Sequence, residues 1–584
     1  MRLVDARRLT GPNHLALSPL VIVELSLEVS ETIEEASAAY VRELARMRAA
    51  LGLPGQVTLV ARPHAGGVIF GYAAPIDVML ACAEMSEWAA ESACDVLAAR
   101  PPRALLPKLA EVEAMLARDR NPALVALVRA ARAKAIPLLW DDELVSLGTG
   151  PRAASFSLRA LPDPSSIDWA ALGSIPTVLV TGTNGKTTSS RLLARVATEA
   201  GLRVGITSTG GITVGTELLE DGDWTGPAAA RIVLRHPSVD LAVLETARGG
   251  ILRRGLAVDS CDAALITNVS DDHIGLYGID DVAAMAEVKG VIAKVVRAGG
   301  TAALNASDAR LVALGQQLSC DVTFFADLEH ASADSPAATV VAEHRARGGR
   351  AVFTREGAII AAKGEGPERT IARVDAVPLT FGGAARYNVE NVLGVVAVAE
   401  GLGLAADAIT RGLQGFAMHD NPGRGQVVER GGVTILLDFG HNPEGVRAVM
   451  RLVTTLRREA EAKTQRKGKL TIVTGSPGDR SDQEITDVAC ILHEAAPDRV
   501  FVRELGEYLR GRAPGDVPAL YRKTLIERGF APEAFAVVDS EVDALERALE
   551  GATPGDFVAV LVHLDQAEVQ AFFAARAAAY PDII

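Results

Sequence analysis

The sequence predicts an α/β protein built on doubly wound, mostly parallel sheets, and three observations carry that prediction. A short apolar run, IPTVLV from Ile175 to Val180, leads into the glycine loop TGTNGKTT and then into the helix-spaced segment RLLARVATEAGL; strand, loop, helix is the order that brings loop amides to a helix N-terminus. Further short apolar runs, LAVLETA, AALITNV and TAALN, alternate with helical patterns such as DVAAMAEVKGVIAKVV, as buried parallel strands with crossover helices do. From about Asn421 onward TILLDFG, KLTIVTGS, RVFVREL, FAVVD and DFVAVLV repeat the alternation, which predicts a second, Rossmann-like sheet.

In chain order, residues 1–165 are expected to form a small α/β domain. Its runs LVIVELSLEV, VTLVARP and GGVIFGYA read as strands, and EMSEWAAESACDVLAAR and ALVALVRAARAKA as helices. The turn-forming cluster LPDPSSI at Leu161–Ile167 marks a boundary. A central domain is expected over 166–419 and a C-terminal domain over 420–584. Three domains agree with 584 residues, since one hydrophobic core rarely serves more than roughly 250–300.

Composition narrows the function classes. With 49% hydrophobic and 23% charged residues the chain has the balance of a folded protein. A net charge of −14 and only 4% aromatic residues argue against nucleic acid as a partner. Five scattered cysteines without a CxxC pair predict a reducing compartment, and no apolar run reaches the ~18–20 residues of a membrane span. A cytoplasmic protein is expected.

The loop Gly182-Thr183-Asn184-Gly185-Lys186-Thr187-Thr188 contains the GK[ST] core of a phosphate loop. Glycines allow backbone N–H groups to face phosphate oxygens, Lys186 adds charge near the β- and γ-phosphates, and the Thr187 hydroxyl suits Mg²⁺. The common eight-residue pattern has glycine at its first position, where this chain has Val180. Glu245 ends the run LAVLE at the carboxyl edge of a predicted strand, where a carboxylate suits a hard cation.

VTGTNGKTT resembles the ATP loop of the Mur ligase superfamily, which includes the peptidoglycan-precursor amino acid ligases, the folylpolyglutamate synthetases and the C-terminal half of the cyanophycin synthetases. The stretches GDWTGPAAARIVL, AVLETARGGILRRGL and ITNVSDDHIGL resemble the cyanophycin synthetases more closely, and the likeness runs from about Ile175 to the C-terminus. The resemblance implies an ATP-dependent, ADP-forming ligase that activates a carboxylate as an acyl phosphate and couples it to an amino acid or other amine, with ATP and Mg²⁺, two ions, as cofactors. It assigns Glu245 to Mg²⁺ and His273 to the second ion; by itself His273 is a loop histidine. Lys289, otherwise a solvated helix lysine, matches a lysine carbamylated in many members. Asn388 and Asn391, three residues apart on one helix face, fall on the adenine side, though capping would also account for them. Arg424 matches an arginine that reaches the ATP phosphates. Asp438-Phe439-Gly440-His441-Asn442-Pro443 matches a DYAHNP-type motif, with Asp438 near the ribose and Gly440 in place of alanine. Arg248, Arg253, Arg510 and Arg512 match positions near the acceptor, with surface ion pairing as the competing account, and Ser476, in SPGDR, lies where the amine is expected.

The N-terminal part adds a departure. Arg8–Asn13 (RLTGPN) resembles the opening LRGPN of the cyanophycin synthetases, and Ala130–Phe156 resembles the segment that leads into their ATP-grasp domain, yet the next recognisable feature is the strand at Ile175. The ATP-grasp domain is therefore expected to be missing, and with it the first of the two ligation steps. CAEMSEWAAESA lacks the histidine of the corresponding helix, so the domain reads either as a polymer holder or as a scaffold or homo-oligomerisation surface. Two other functions stay open: a nucleotide-binding regulatory or partner-assembly protein, and a folylpolyglutamate-synthetase-like ligase.

Overall fold

In the computed structural model, residues 1–577 other than 273, 331, 333 and 334 are described. The chain forms two compact units, one of residues 1–353, 361–369 and 394–409, the other of residues 354–360, 370–393 and 410–584.

The first unit opens with a four-stranded antiparallel sheet, β1 (Arg2–Leu9), β2 (Leu20–Ser26), β3 (Val60–His64) and β4 (Gly67–Tyr72), in the order β1-β2-β4-β3. The helices Ile33–Ala50 and Met79–Leu97 pack on it, with Tyr40 stacked on Phe70 at 5.8 Å and Trp88 and Met47 in the same core. The helix without the expected histidine is thus a core element: Met79, Cys82, Met85, Ser86, Ala89 and Ala93 are all buried. Two elements were not anticipated. β1 is an edge strand whose charged residues interrupt the apolar pattern, as edges commonly do, and the helix Leu105–Asp119 buries only Val112 and Leu116.

A small antiparallel sheet follows, β5 (Leu138–Trp140), β6 (Leu144–Leu147) and β7 (Ala154–Ser157). Residues 158–176 then run to β8 (Thr177–Thr181) with one 3-10 turn, Pro164–Ser166, so no further domain is inserted there.

The large sheet adds β9 (Val204–Ser208), β10 (Gly211–Val214), β11 (Glu217–Glu220), β12 (Leu241–Glu245), β13 (Cys261–Ile266), β14 (Val296–Asn305), β15 (Asp321–Ala326) and β16 (Arg350–Arg355). In the first unit its order is β11-β10-β9-β12-β8-β13-β14-β15-β16. All neighbours from β9 to β16 are parallel, whereas β10 runs antiparallel to β9 and β11. Every residue of β8 and β12 is buried, which explains the unbroken apolar runs. β8 lies between β12 and β13, and the loops after these three strands meet at their carboxyl ends, where open α/β sheets bind ligands.

Two strands, β17 (Ala358–Lys363) and β18 (Arg369–Arg373), and the helix Arg386–Gly401 come next in the chain. The second unit then builds a six-stranded sheet from β19 (Gln426–Arg430), β20 (Val433–Asp438), β21 (Leu470–Thr474), β22 (Arg499–Arg503), β23 (Phe535–Val538) and β24 (Phe557–Leu561), ordered β19-β20-β24-β21-β22-β23. Only the β19–β20 pair is antiparallel. The two faces carry separate cores, one around Leu436, Ile472, Tyr521 and Phe557, the other around Ile435, Val473, Phe501 and Phe572. The doubly wound expectation holds for both sheets.

Candidate functional site

The glycine loop leaves β8 at Thr181, whose hydroxyl donates to the carbonyl of Thr246 at 2.7 Å. A Cβ on Gly182 would lie 1.9 Å from Thr267 Oγ1, so only glycine fits. Gly185, with φ +82°, turns the chain into the helix Lys186–Glu199. The segment after β13 holds the loop from outside. Asn268 O accepts Thr183 N–H at 3.0 Å, Asn268 Oδ1 accepts Asn184 N–H at 2.9 Å, Thr267 Oγ1 donates to Asn184 O at 2.6 Å, and Ser270 N–H donates to Thr183 Oγ1 at 3.0 Å. Lys186 Nζ donates to the carbonyls of Gly182 (3.1 Å) and Thr183 (2.9 Å), which gathers its charge at the loop. Thr188 is buried in the first turn of the helix.

Glu245 ends β12 and is 2% exposed. Its Oε2 accepts the Thr187 hydroxyl at 2.8 Å, and Thr187 Oγ1 lies 3.1 Å from Thr209 Oγ1. Glu245 Oε1 is buried without a hydrogen-bond partner, a costly state for a carboxylate oxygen. A hard cation bound by that oxygen and the Thr187 hydroxyl would relieve it, so these residues fit Mg²⁺. His273 lies outside the described residues, and among those described no group of three or more His, Cys, Asp or Glu side chains is arranged to hold a metal.

Lys289 is not a solvated helix lysine. It is 5% exposed on the helix Val282–Lys294, and its Nζ donates to Gly182 O at 2.8 Å. Burial, with the like charges of Lys186 and Arg248, brings its pKa down to about 7 against the opposing pull of Asp272. Arg248 opens the helix Arg248–Arg254 just past Glu245, and exposed Arg253 donates to Gly249 O at 3.2 Å on the same helix.

The remaining residues belong to the second unit. Asn388 and Asn391 are buried and share a face: Asn391 Nδ2 donates to Asn388 Oδ1 at 3.1 Å, and Asn388 Nδ2 to Leu379 O at 3.1 Å. Asp438 ends β20. Burial raises its pKa, opposed by the Arg424 charge and the N–H groups of Gly425, Phe439 and Gly440; Gly425 N–H reaches Oδ2 at 2.8 Å. The Arg424 guanidinium lies 4.5 Å from the Phe439 ring centroid, and His563 packs edge-on against that ring at 5.8 Å. Asn442 caps the helix Pro443–Thr464, accepting Gly445 N–H at 2.8 Å.

Ser476 is buried beyond β21, its hydroxyl 2.7 Å from that of Tyr521. Arg510 pairs with Asp479, while Arg512 donates to the carbonyls of Gly478 (2.9 Å) and Arg480 (2.6 Å) and pairs with Asp482 at 2.7 Å. Both arginines fasten the loop 478–482. The structure therefore gathers Lys186, Thr187, Glu245 and Lys289 around one loop, and Arg424 and Asp438 around another. Sequence reasoning missed Thr267, Asn268 and Ser270, which share the ITNVSDDH stretch with His273, and it missed His563 and its contact with Phe439, which carries no signal until β20 and β24 lie side by side.

Residues 180–399 match the Mur ligase middle domain, and residues 423–561 match the Mur ligase, glutamate ligase domain. The chain is 37% identical over 388 residues to a cyanophycin synthetase of Crocosphaera subtropica, covering 66% of this chain and 42% of that protein. It is 27% identical over 408 residues to a UDP-N-acetylmuramoyl-L-alanyl-D-glutamate--2,6-diaminopimelate ligase of Geobacter sulfurreducens, covering 66% and 73%. It thus spans less than half the length of the cyanophycin synthetase it matches. A bifunctional folylpolyglutamate synthase/dihydrofolate synthase from Yersinia pestis superposes with a TM-score of 0.47 at 20% identity, over 68% of this chain and 89% of that one.

Proposed function

The chain carries a Mur ligase middle domain and a Mur ligase C-terminal domain, and from that premise we propose that it is an ATP-dependent, ADP-forming ligase joining a carboxylate to an amino acid or other amine. The observation that carries the reading is the buried Glu245–Thr187 pair, with one carboxylate oxygen unsatisfied, next to a glycine loop that holds two lysines.

A carboxylate oxygen of the acceptor attacks the γ-phosphorus of ATP in line, ADP leaves, and an acyl phosphate forms. Lys186 offsets the charge that gathers on the transferred phosphoryl oxygens. Thr187 and Glu245 would hold Mg²⁺, with His273 for a second ion; when bound, Mg²⁺ supplies positive charge to the phosphate oxygens. The amine then attacks the acyl carbon, and the tetrahedral adduct collapses to an amide and phosphate. Lys289, with its pKa near 7, offers the neutral amine that carbamylation requires. Asn388 and Asn391 serve the adenine, Asp438 the ribose and Arg424 the phosphates, while Asn442 fixes the start of the helix behind that loop. Arg248 and Arg253 face an acceptor carboxylate, for which bidentate arginine is suited. Ser476, Arg510 and Arg512 shape the amine side, the arginines by fastening the loop 478–482. The setting is cytoplasmic, with neither nucleic acid nor membrane as partner.

The test is a screen of amino acids against small carboxylate acceptors, counting ADP and phosphate, with Lys186→Ala alongside. At least one pair should stimulate ADP release in the wild type and none in the variant. Tight ATP binding without turnover for any pair would leave a nucleotide-binding protein instead. AMP and pyrophosphate in place of ADP would rule out the acyl-phosphate route.

A further inference from the structure

We infer that the N-terminal domain holds the catalytic loop between β13 and the helix Val282–Lys294 in place, with Arg7 as its positioning residue; the word catalytic here rests on the ligase reading above. That loop has two working ends. Its first residues, Thr267 to Ser270, clamp the glycine loop through the four hydrogen bonds already described. Its last residues are held by the N-terminal sheet. The Arg7 guanidinium of β1 lies 5.1 Å from the ring centroid of Tyr277, a residue in the left-handed region at φ +57°. The Asp280 carboxylate accepts the Ala65 N–H at the β3–β4 turn. Gly278 passes so close to that hairpin that a Cβ would lie 3.0 Å from His64 Cδ2 and 3.1 Å from Ile69 Cδ1. Arg62 of β3 pairs with Glu287 at 2.8 Å, one turn into the helix that bears Lys289.

The same strand and the turn after it also grip the helix that follows Glu245 and its exit. Arg7 Nε donates to Leu252 O at 3.1 Å, Thr10 N–H to Arg254 O at 2.7 Å, and Leu256 N–H to Pro12 O at 2.8 Å. This is what RLTGPN does: a Cβ on Gly11 would stand 2.0 Å from Leu256 O, and one on Gly255 would stand 2.6 Å from Gly11 O. Two main chains cross there at a distance that only glycine permits. Arg7 is itself aimed by carboxylates on its own sheet, Asp5 and, at 3.5 Å, Glu24. The contacts fall on the two segments that flank the site, the loop that clamps the phosphate loop and the helix that carries Arg248 and Arg253. A domain attached merely for solubility or self-association has no need to place them there.

The test is hydrogen exchange on the full chain for wild type, Arg7→Ala, Arg7→Lys and Asp280→Ala, with binding of Mg²⁺ and a non-hydrolysable ATP analogue measured on the same samples. In Arg7→Ala, peptides covering 180–190 and 265–272 should exchange faster, and the analogue should bind about three- to thirtyfold more weakly, the range of couplings passed through packed elements. Arg7→Lys, which keeps the cation over Tyr277, should recover part of both effects, as a bulk loss of stability would not. Asp280→Ala reports on the same loop through a different contact if Arg7→Ala fails to fold. Faster exchange confined to 275–280, with the phosphate-loop peptides and analogue affinity unchanged, would overturn the inference. Because these readouts need no acceptor or amine, a failed ligation screen would remove the ligase reading without deciding this one.

Discussion

The two units hold their loops by different physics. In the first unit the glycine loop is fixed by polar side chains of the next strand's loop, with Thr267, Asn268 and Ser270 bonded to Thr183 and Asn184 and two ammonium groups drawn onto loop carbonyls. In the second, Arg424 rests on Phe439, Phe439 on His563, and His563 reaches Gly440 O at 3.1 Å. Hydrogen bonds fix direction to within a few tens of degrees, whereas ring contacts tolerate sliding. A loop that must hold phosphates in line needs the first kind of support. The Arg424 loop adds ring contacts to the hydrogen bond that Asp438 accepts from Gly425 N–H.

This contrast is open to direct attack, beginning with its largest expected effect. Lys186→Ala should reduce ADP formation by about 100- to 1,000-fold, the cost of removing one preorganised charge, whereas Phe439→Ala should cost about tenfold through the lost cation–π support of Arg424. Steady-state assays with the best substrate pair measure both, and equal losses would erase the distinction between the units.

Next comes pH. Burial keeps the pKa of His563 down at about 4 from an ordinary 6.5, so between those values the unfolded chain takes up a proton that the folded chain refuses. Stability should therefore fall as pH drops from 6.5 to 4, by about 3 kcal/mol at most. His563→Phe should flatten that limb in denaturant titrations; an unchanged limb would remove His563 as its source. In the first unit Gly182→Ala should destabilise by about 2 kcal/mol through overpacking against Thr267, read as a drop in Tm that Thr267→Ala in the same chain partly reverses. The smallest effect belongs to Asn442→Ala, about 1 kcal/mol for a lost cap, visible in Tm but scarcely in turnover.

Much of this was legible in the sequence because buried parallel strands are written as unbroken apolar runs. IPTVLV, LAVLE and TILLD appear as strands, with Gly182 just beyond the first and Glu245 and Asp438 ending the other two. β1 escaped because an edge strand alternates charge with apolar residues, and its arginines look like surface until Tyr277 and Leu252 are seen opposite them. For Lys289 the resemblance implies a functional residue while helix spacing alone allows a solvated one, because spacing gives a face but not what covers it, and here the cover is Gly182 O, 107 residues away. For Arg510 and Arg512 the sequence left substrate binding and surface ion pairing both open, and the Asp479 and Asp482 pairs and the carbonyls that Arg512 fastens are set by a loop that has no regular pattern.

The bond from Arg7 to Leu252 joins residues 245 positions apart. At a synthesis rate of roughly 5–20 residues per second, β1 leaves the ribosome about 12–50 seconds before the helix it must grip. During that interval Gly11 and Pro12, buried in the finished protein, lack the Gly255–Leu256 main chain that they lie against. The crossing at Gly11 and Gly255 therefore cannot close until more than two-fifths of the chain has been made, and until then a vacant β1 edge is where a folding intermediate would be open to chaperones or to another unfinished copy.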